Sequence, residues 1–171
     1  MRRLLIALCL IAALPVHAEQ RDPGSAFFSP KMGDFREELA SVRQTGRFGV
    51  LMMFEQEECP FCERMRRTVL SQSGVQDWYR QHFLIFEIDI KGSTAMTDFQ
   101  GRNTTEKAFA LEHRARATPT FIFFDRDGEQ AYRYTGTTQS AEEFLQLGRY
   151  VAEGASKTMP FNIYKLQTRV P

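Results

Sequence analysis

Two cysteines, in the run Cys59-Pro60-Phe61-Cys62, form the pattern with the most chemistry in this chain. They stand where an apolar run, Phe48-Gly49-Val50-Leu51-Met52-Met53-Phe54, gives way to the amphipathic Glu63-Arg64-Met65-Arg66-Arg67-Thr68-Val69-Leu70. That boundary puts Cys59 at a helix N-terminus, where unpaired backbone N–H groups and the positive end of the dipole favour a thiolate. Thiols so placed have pKa values lowered to roughly 3.5–7.5, against about 8.5 for a free cysteine. Pro60 falls in the first helical turn, where its missing N–H costs nothing. Cys62 lies one turn on, within disulfide reach. By position, Cys59 faces the helix start and is the expected attacking thiol. Cys62, inside the first turn, is expected to be the resolving thiol and the more buried. The pattern reads as a redox dithiol.

The first residues speak to compartment. Arg2-Arg3 precede an apolar run from Leu4 to Leu14, and Val16-His17-Ala18 offers small residues for cleavage after Ala18. The run is too short to span a bilayer as a mature helix, so residues 1–18 read as a secretory signal peptide and the mature protein is expected in the periplasm. Cys9 lies inside the apolar core of that leader, far from the cleavage point. Once the leader is removed, the 3 cysteines become the Cys59/Cys62 pair alone. Exported proteins normally use disulfides as staples. This pair closes a tiny loop, however, and loop-closure stabilisation grows with loop length. Exchange chemistry, rather than support, is the use that remains.

Charge excludes some partners. Without Arg2 and Arg3 the 22 basic residues become 20, against 21 acidic ones, a net charge near −1. Nothing there points to nucleic acid or to an anionic membrane surface. Zinc asks for four ligands and one C-x-x-C supplies two; His82 and His113 have no ligand-like spacing, so no metal site is expected. Capture of Cu(I) by the dithiol alone stays open, because thiolates are soft ligands.

The positioning elements alternate. Residues 19–33, with Pro23-Gly24-Ser25 and Pro30, read as a loosely ordered lead-in, and residues 34–171 as one domain. Asp34 with Glu37 opens a helix that Gly46 ends. Residues 48–54 are a strand buried on both faces. A helix follows from Pro60, then a second helical stretch over 75–82, then a β-prone run over 83–90. Residues 91–103 read as an inserted loop or small hairpin. A helix is predicted from about Thr104 to Ala115, with Ala108, Leu111 and Ala115 inward. Residues 118–125 make a third strand, turning tightly at Asp125-Arg126-Asp127-Gly128 into a fourth over 129–135. Ser140 with Glu143 caps a last helix ending near Gly154, after which Phe161 and Tyr164 return the tail to the body. The tight turn predicts antiparallel pairing of the last two strands, and the longer helical crossovers suit parallel pairing.

This order resembles the thioredoxin fold, an α/β arrangement with a mixed central sheet flanked by helices on both faces. The resemblance rests on Cys59-Pro60-Phe61-Cys62 after the first central strand and on Thr118-Pro119-Thr120 opening a later one, about 60 residues on. It implies that the Thr118–Pro119 bond is cis and lies against the dithiol, and that Thr118 offers backbone hydrogen bonds to an extended substrate segment. Phe61, exposed between the cysteines, is a further candidate for substrate contact. More narrowly, Met53–Cys62, Asp98-Phe99-Gln100-Gly101 and Thr118–Asp125 with Asp127-Gly128 are similar to small periplasmic thioredoxins of the SoxW type. That likeness implies a monomeric thiol–disulfide oxidoreductase without a dissolved cofactor, reducing disulfide-containing exported proteins with electrons from a membrane thiol transporter of the DsbD or CcdA type. The same dithiol suits two rivals, an oxidative disulfide-forming enzyme and a copper or redox-partner chaperone.

Several residues depart from the familiar cytosolic pattern. Pro-Phe stands between the cysteines in place of Gly-Pro, and Glu58 in place of Trp. The buried carboxylate six positions before the first cysteine is Met53 here, which leaves Glu55 or Glu57 as candidate proton acceptors for Cys62. Carboxylates near Cys59 oppose thiolate formation and partly offset the dipole. The expected reduction potential lies between that of thioredoxin, roughly −270 mV, and that of protein disulfide isomerase, about −180 mV.

Overall fold

The computed structural model describes residues 19–168. The leader expected over residues 1–18 lies outside them. Strand β1 (Gly49–Glu55) is apolar up to its last residue and becomes a central strand, buried on both faces. It pairs parallel with β2 (Phe83–Asp89) and antiparallel with β5 (Thr120–Phe124), which turns back into antiparallel β6 (Gln130–Thr135). The sheet order is β2-β1-β5-β6, a mixed four-strand sheet. The tight turn is built by Asp125, whose Oδ1 accepts from the backbone N–H of Asp127 at 2.9 Å and of Glu129 at 3.0 Å.

The direction of β5 differs from the crossover expectation, which favoured parallel pairing. Asp89 ends β2 opposite Glu55, and Thr120 opens β5 opposite Phe54, so the chain leaves and re-enters the sheet at one end. Strand β5 must therefore run back along β1. Between them lie a hairpin of β3 (Ala95–Thr97) with β4 (Asn103–Thr105) and the helix α5 (Glu106–Glu112). The buried Asp98 carboxylate shapes that hairpin by accepting from the backbone N–H of Gln100 and of Arg102 and from the Arg102 guanidinium.

Alternation along β1 divides the core in two. Leu51 and Met53 face a layer made by α3 (Pro60–Met65), its continuation as a π-helical turn (Arg66–Leu70), α4 (Ser73–His82), α6 (Ala141–Ala152) and α7 (Phe161–Gln167). Val50, Met52 and Phe54 face α2 (Phe35–Thr45), α5 and the hairpin. Asp34 caps α2 by accepting from Arg36 N–H at 2.9 Å, and Gly46 ends it in the left-handed region at φ 71°. Ser140 Oγ caps α6 at the Glu143 N–H, 3.2 Å away, while the Glu143 carboxylate takes the Gln139 N–H at 2.7 Å. Phe161 and Tyr164 are buried on α7, so the tail does return to the body.

Two further expectations need correction. Residues 19–33 are not a loose lead-in. They contain the short α1 (Pro23–Ala26), and Phe27 and Phe28 are buried in the core with Tyr79 and Phe144. Backbone N–H groups of Arg21 and Ser29 donate to the carbonyls of Ser71 and Ile85, both at 2.7 Å, and Ser73 N–H donates to Glu19 at 2.9 Å. Burying two phenyl rings outweighs the local turn signal of Pro23-Gly24. Helix α5 is also shorter than predicted and rotated. Thr105 caps it, Phe109 and Ala110 face inward, and Leu111 is exposed. Phe109 sets the rotation by filling the space between Phe35 and Phe54.

Candidate active site

Beyond Glu55 the chain leaves the sheet through Gln56, Glu57 and Glu58, the last held at φ 56°, and enters α3 at Cys59. Cys59 is the N-cap residue, with its Sγ accepting from the Cys62 N–H at 3.1 Å and its carbonyl from the Glu63 N–H at 3.0 Å. Pro60 occupies the first turn, as its ring requires. The two sulfurs are joined in a disulfide, with an S–S distance of 2.13 Å and a Cα–Cα distance of 5.2 Å. Cys62 is 3% exposed and packs in the core, whereas Cys59 is half-buried. Cys59 is therefore the more accessible residue of the two. Phe61, between them, is 60% exposed.

An open cleft of about 640 Å³ runs along the pair, bordered by Glu55, Glu57, Glu58, Glu63, Asp89 and Arg66. Met53 and Glu55 lie two residues apart on β1 and so share its face toward α3. Arg66, one turn beyond Cys62, reaches across to that face. Its guanidinium donates to both Glu55 oxygens, at 2.6 and 3.2 Å, and to Glu87 at 2.6 Å, and it sits 4.8 Å over the Phe28 ring. Burial pushes the Glu55 carboxyl above its ordinary range despite the opposing hydrogen bonds from Arg66, and the negative Glu87 and Asp89 add to the push. Burial alone would lower Arg66, but its bonds to Glu55 and Glu87 more than offset that and hold it above its ordinary value.

Of the two candidate proton acceptors, Glu55 lies in this cleft inside an ion pair and Glu57 stands at its exposed rim. The Thr118–Pro119 bond is cis. Pro119 is buried, Thr118 half-buried, and both precede Thr120, which pairs with Phe54 at the outgoing end of β1. The strand register therefore brings this segment to the end of the sheet that carries the dithiol, although it does not border the acidic cleft. His82 stacks on Trp78 and Phe48, and His113 packs against Phe109 and Phe124, where burial lowers its pKa. Neither histidine borders the cleft. Among the described residues no group of three or more His, Cys, Asp or Glu is placed to hold a metal. Arg66 was not singled out from the sequence. Its position four residues after Cys62 marks it as facing the same side of the helix, but its partners on β1 and β2 are far away in the chain.

Residues 35–152 match the sequence pattern of the thioredoxin-like domain family. The fold is similar to that of a thioredoxin-fold protein from Helicobacter pylori, 18% identical, with a TM-score of 0.62 over 71% of this chain and 84% of that one. It is similar as well to a thioredoxin from Thermus thermophilus, 28% identical, with a TM-score of 0.58 over 79% of this chain and 94% of that one. The DsbH oxidoreductase is 15% identical, with a TM-score of 0.58 over 86% of this chain and 95% of that one. No curated protein is significantly similar in sequence.

Proposed function

Because the chain belongs to the thioredoxin-like domain family, we propose that it is an exported thiol–disulfide oxidoreductase working in the reducing direction. The asymmetry of the pair carries the exchange chemistry and the roles within it: Cys59, at a helix N-terminus, is the more exposed residue and Cys62 is buried. In the reduced protein the Cys59 thiolate attacks one sulfur of a substrate disulfide, and the other substrate sulfur leaves as a thiolate and takes up a proton. Cys62 then loses its proton and attacks Cys59 Sγ, expelling the second substrate thiolate. The products are a substrate dithiol and the Cys59–Cys62 disulfide, two electrons having passed to the substrate. Phe61, exposed between the cysteines, and the Thr118–Pro119 segment contact the substrate.

The leader over residues 1–18 supports a periplasmic site of action, with exported disulfide proteins as substrates. Stretches similar to the SoxW type support a place among the small periplasmic thioredoxins, and a membrane thiol transporter of the DsbD or CcdA type would then return electrons to the oxidised pair. Equilibration of the pair with a glutathione series, followed by insulin reduction, tests this. We expect a potential between roughly −270 and −180 mV and turnover of insulin disulfides. A value near about −120 mV, that of a strong oxidant, overturns the reducing direction. In the same framework Cys62→Ser accumulates mixed disulfides with partners and Cys59→Ser does not; trapping by Cys59→Ser alone would reverse the assigned roles.

A further inference from the structure

We propose that Arg66 and Glu55 form a charge clamp on the dithiol, Arg66 favouring the thiolate and Glu55 opposing it, so that the pair sets the redox balance of Cys59/Cys62. The inference rests on the oxidoreductase reading above. Three observations carry it. First, both side chains border the cleft that holds the two sulfurs. Second, the pair is fixed. The Arg66 N–H donates to the Cys62 carbonyl, and its guanidinium is gripped by both Glu55 oxygens, by Glu87 and by the Phe28 ring. Bidentate geometry of this kind holds charge in one place, and with side chains only 22% and 20% exposed the two charges are weakly screened.

Third, the surroundings are one-sided. Among the described residues that border the cleft, Arg66 is the only cation, and Glu57, Glu58, Glu63 and Asp89 are all acids. Those four stand at the rim or partly in solvent, where water and salt weaken them. The inner pair therefore carries the least screened charges of the cleft. Stabilising the reduced, thiolate-bearing form makes a dithiol more oxidising, and destabilising it makes the dithiol more reducing.

The two ends of one ion pair thus push the same equilibrium in opposite directions, which distinguishes a charge role from a packing role. The reaction to measure is protein disulfide plus two glutathione thiols giving protein dithiol plus glutathione disulfide, with two electrons and two protons passing from glutathione. Glu55→Gln should shift it threefold to tenfold toward the dithiol, and Arg66→Gln by a similar factor toward the disulfide. Tenfold corresponds to about 30 mV for this couple. The double variant should return to within twofold of wild type, and Arg66→Lys, which keeps the charge and loses the fork, should stay close to wild type. Two single variants that move in the same direction, or both stay within twofold, overturn the clamp. If Arg66→Gln does not fold, Glu55→Gln decides alone: no shift, or a shift toward the disulfide, overturns it. A wild-type pair that fails to exchange with glutathione removes the functional reading and the clamp with it, whereas exchange without divergence between the variants removes only the clamp.

Discussion

The two ends of β1 are opposites. At its start, Gly49 lies against the backbone of the neighbouring strand, and an added Cβ would overlap the Phe124 carbonyl oxygen. Phe48 stacks there on His82, and His82 on Trp78 with ring centroids 4.1 Å apart. At its finish, Glu55 turns to Arg66 and Glu87, and the chain opens into the cleft beside the dithiol. Between them, Val50 to Phe54 are fully buried. The dry middle holds the polar end in place, where the carboxylate and the guanidinium face the cleft that carries the two cysteines. Chemistry collects beyond the carboxyl ends of β1 and β2, as it does in open α/β sheets generally. The amino end of β1 is held by aromatic stacking and close backbone contact.

That contrast can be broken by substitution. Gly49→Ala should have the largest effect, lowering the unfolding free energy by about 3–5 kcal/mol because backbone must move to admit the methyl. Urea denaturation measures it, and the potential of whatever folds should match wild type; a loss below about 1 kcal/mol would mean the amino end is not tightly packed after all. Tyr79→Phe comes next. Its hydroxyl donates to the Phe144 carbonyl at 2.5 Å inside the core; that carbonyl keeps its partner one turn along α6, so removal costs one net hydrogen bond, about 0.5–1.5 kcal/mol.

At the dithiol end the signs reverse, with function moving and stability holding. Phe61→Ala should leave stability within about 0.5 kcal/mol, yet lower kcat/KM on a protein disulfide threefold to tenfold, about 0.7–1.4 kcal/mol of transition-state binding. Equal turnover of insulin by the variant would remove Phe61 from the substrate surface. The smallest effect is a slope with pH. The Glu55 carboxyl titrates above its unfolded value, so the native state binds that proton more tightly than the unfolded chain does. Its contribution to stability is then present at low pH and is lost as pH rises through the raised native value. Glu55→Gln should remove this slope, gaining on wild type at pH 7 relative to pH 4 in paired denaturation curves.

Much of this was legible in the chain. The dithiol, its helix start, the Thr118–Pro119 boundary and the caps at Asp34 and Ser140 all depend on neighbours a few residues away, and local chemistry decides them. What failed to show depends on partners distant in sequence. The direction of β5 follows from where the chain re-enters the sheet, which crossover length alone does not determine. The rotation of α5 follows from the space between Phe35 and Phe54, on two other elements. Arg66 reads as one more charge on an amphipathic helix until β1 and β2 bring Glu55 and Glu87 beneath it. The adjacent pair Phe27-Phe28 was the one overlooked local signal, since two phenyl rings in a polar stretch have reason to seek cover.

The seat of those two rings has a consequence for the order of events in a chain made from its N-terminus. Ser29 is anchored to Ile85, Arg21 to Ser71, and Phe27 rests against Phe144 on the last long helix. The residues synthesised early thus have half their seat once β2 has emerged and the whole of it only after the last long helix. Phe28, the floor beneath Arg66, is among them. Loop closure over such separations is slow compared with local helix formation. The cleft is thus finished by the oldest part of the chain, and until that part arrives the arginine has its carboxylates but not its floor.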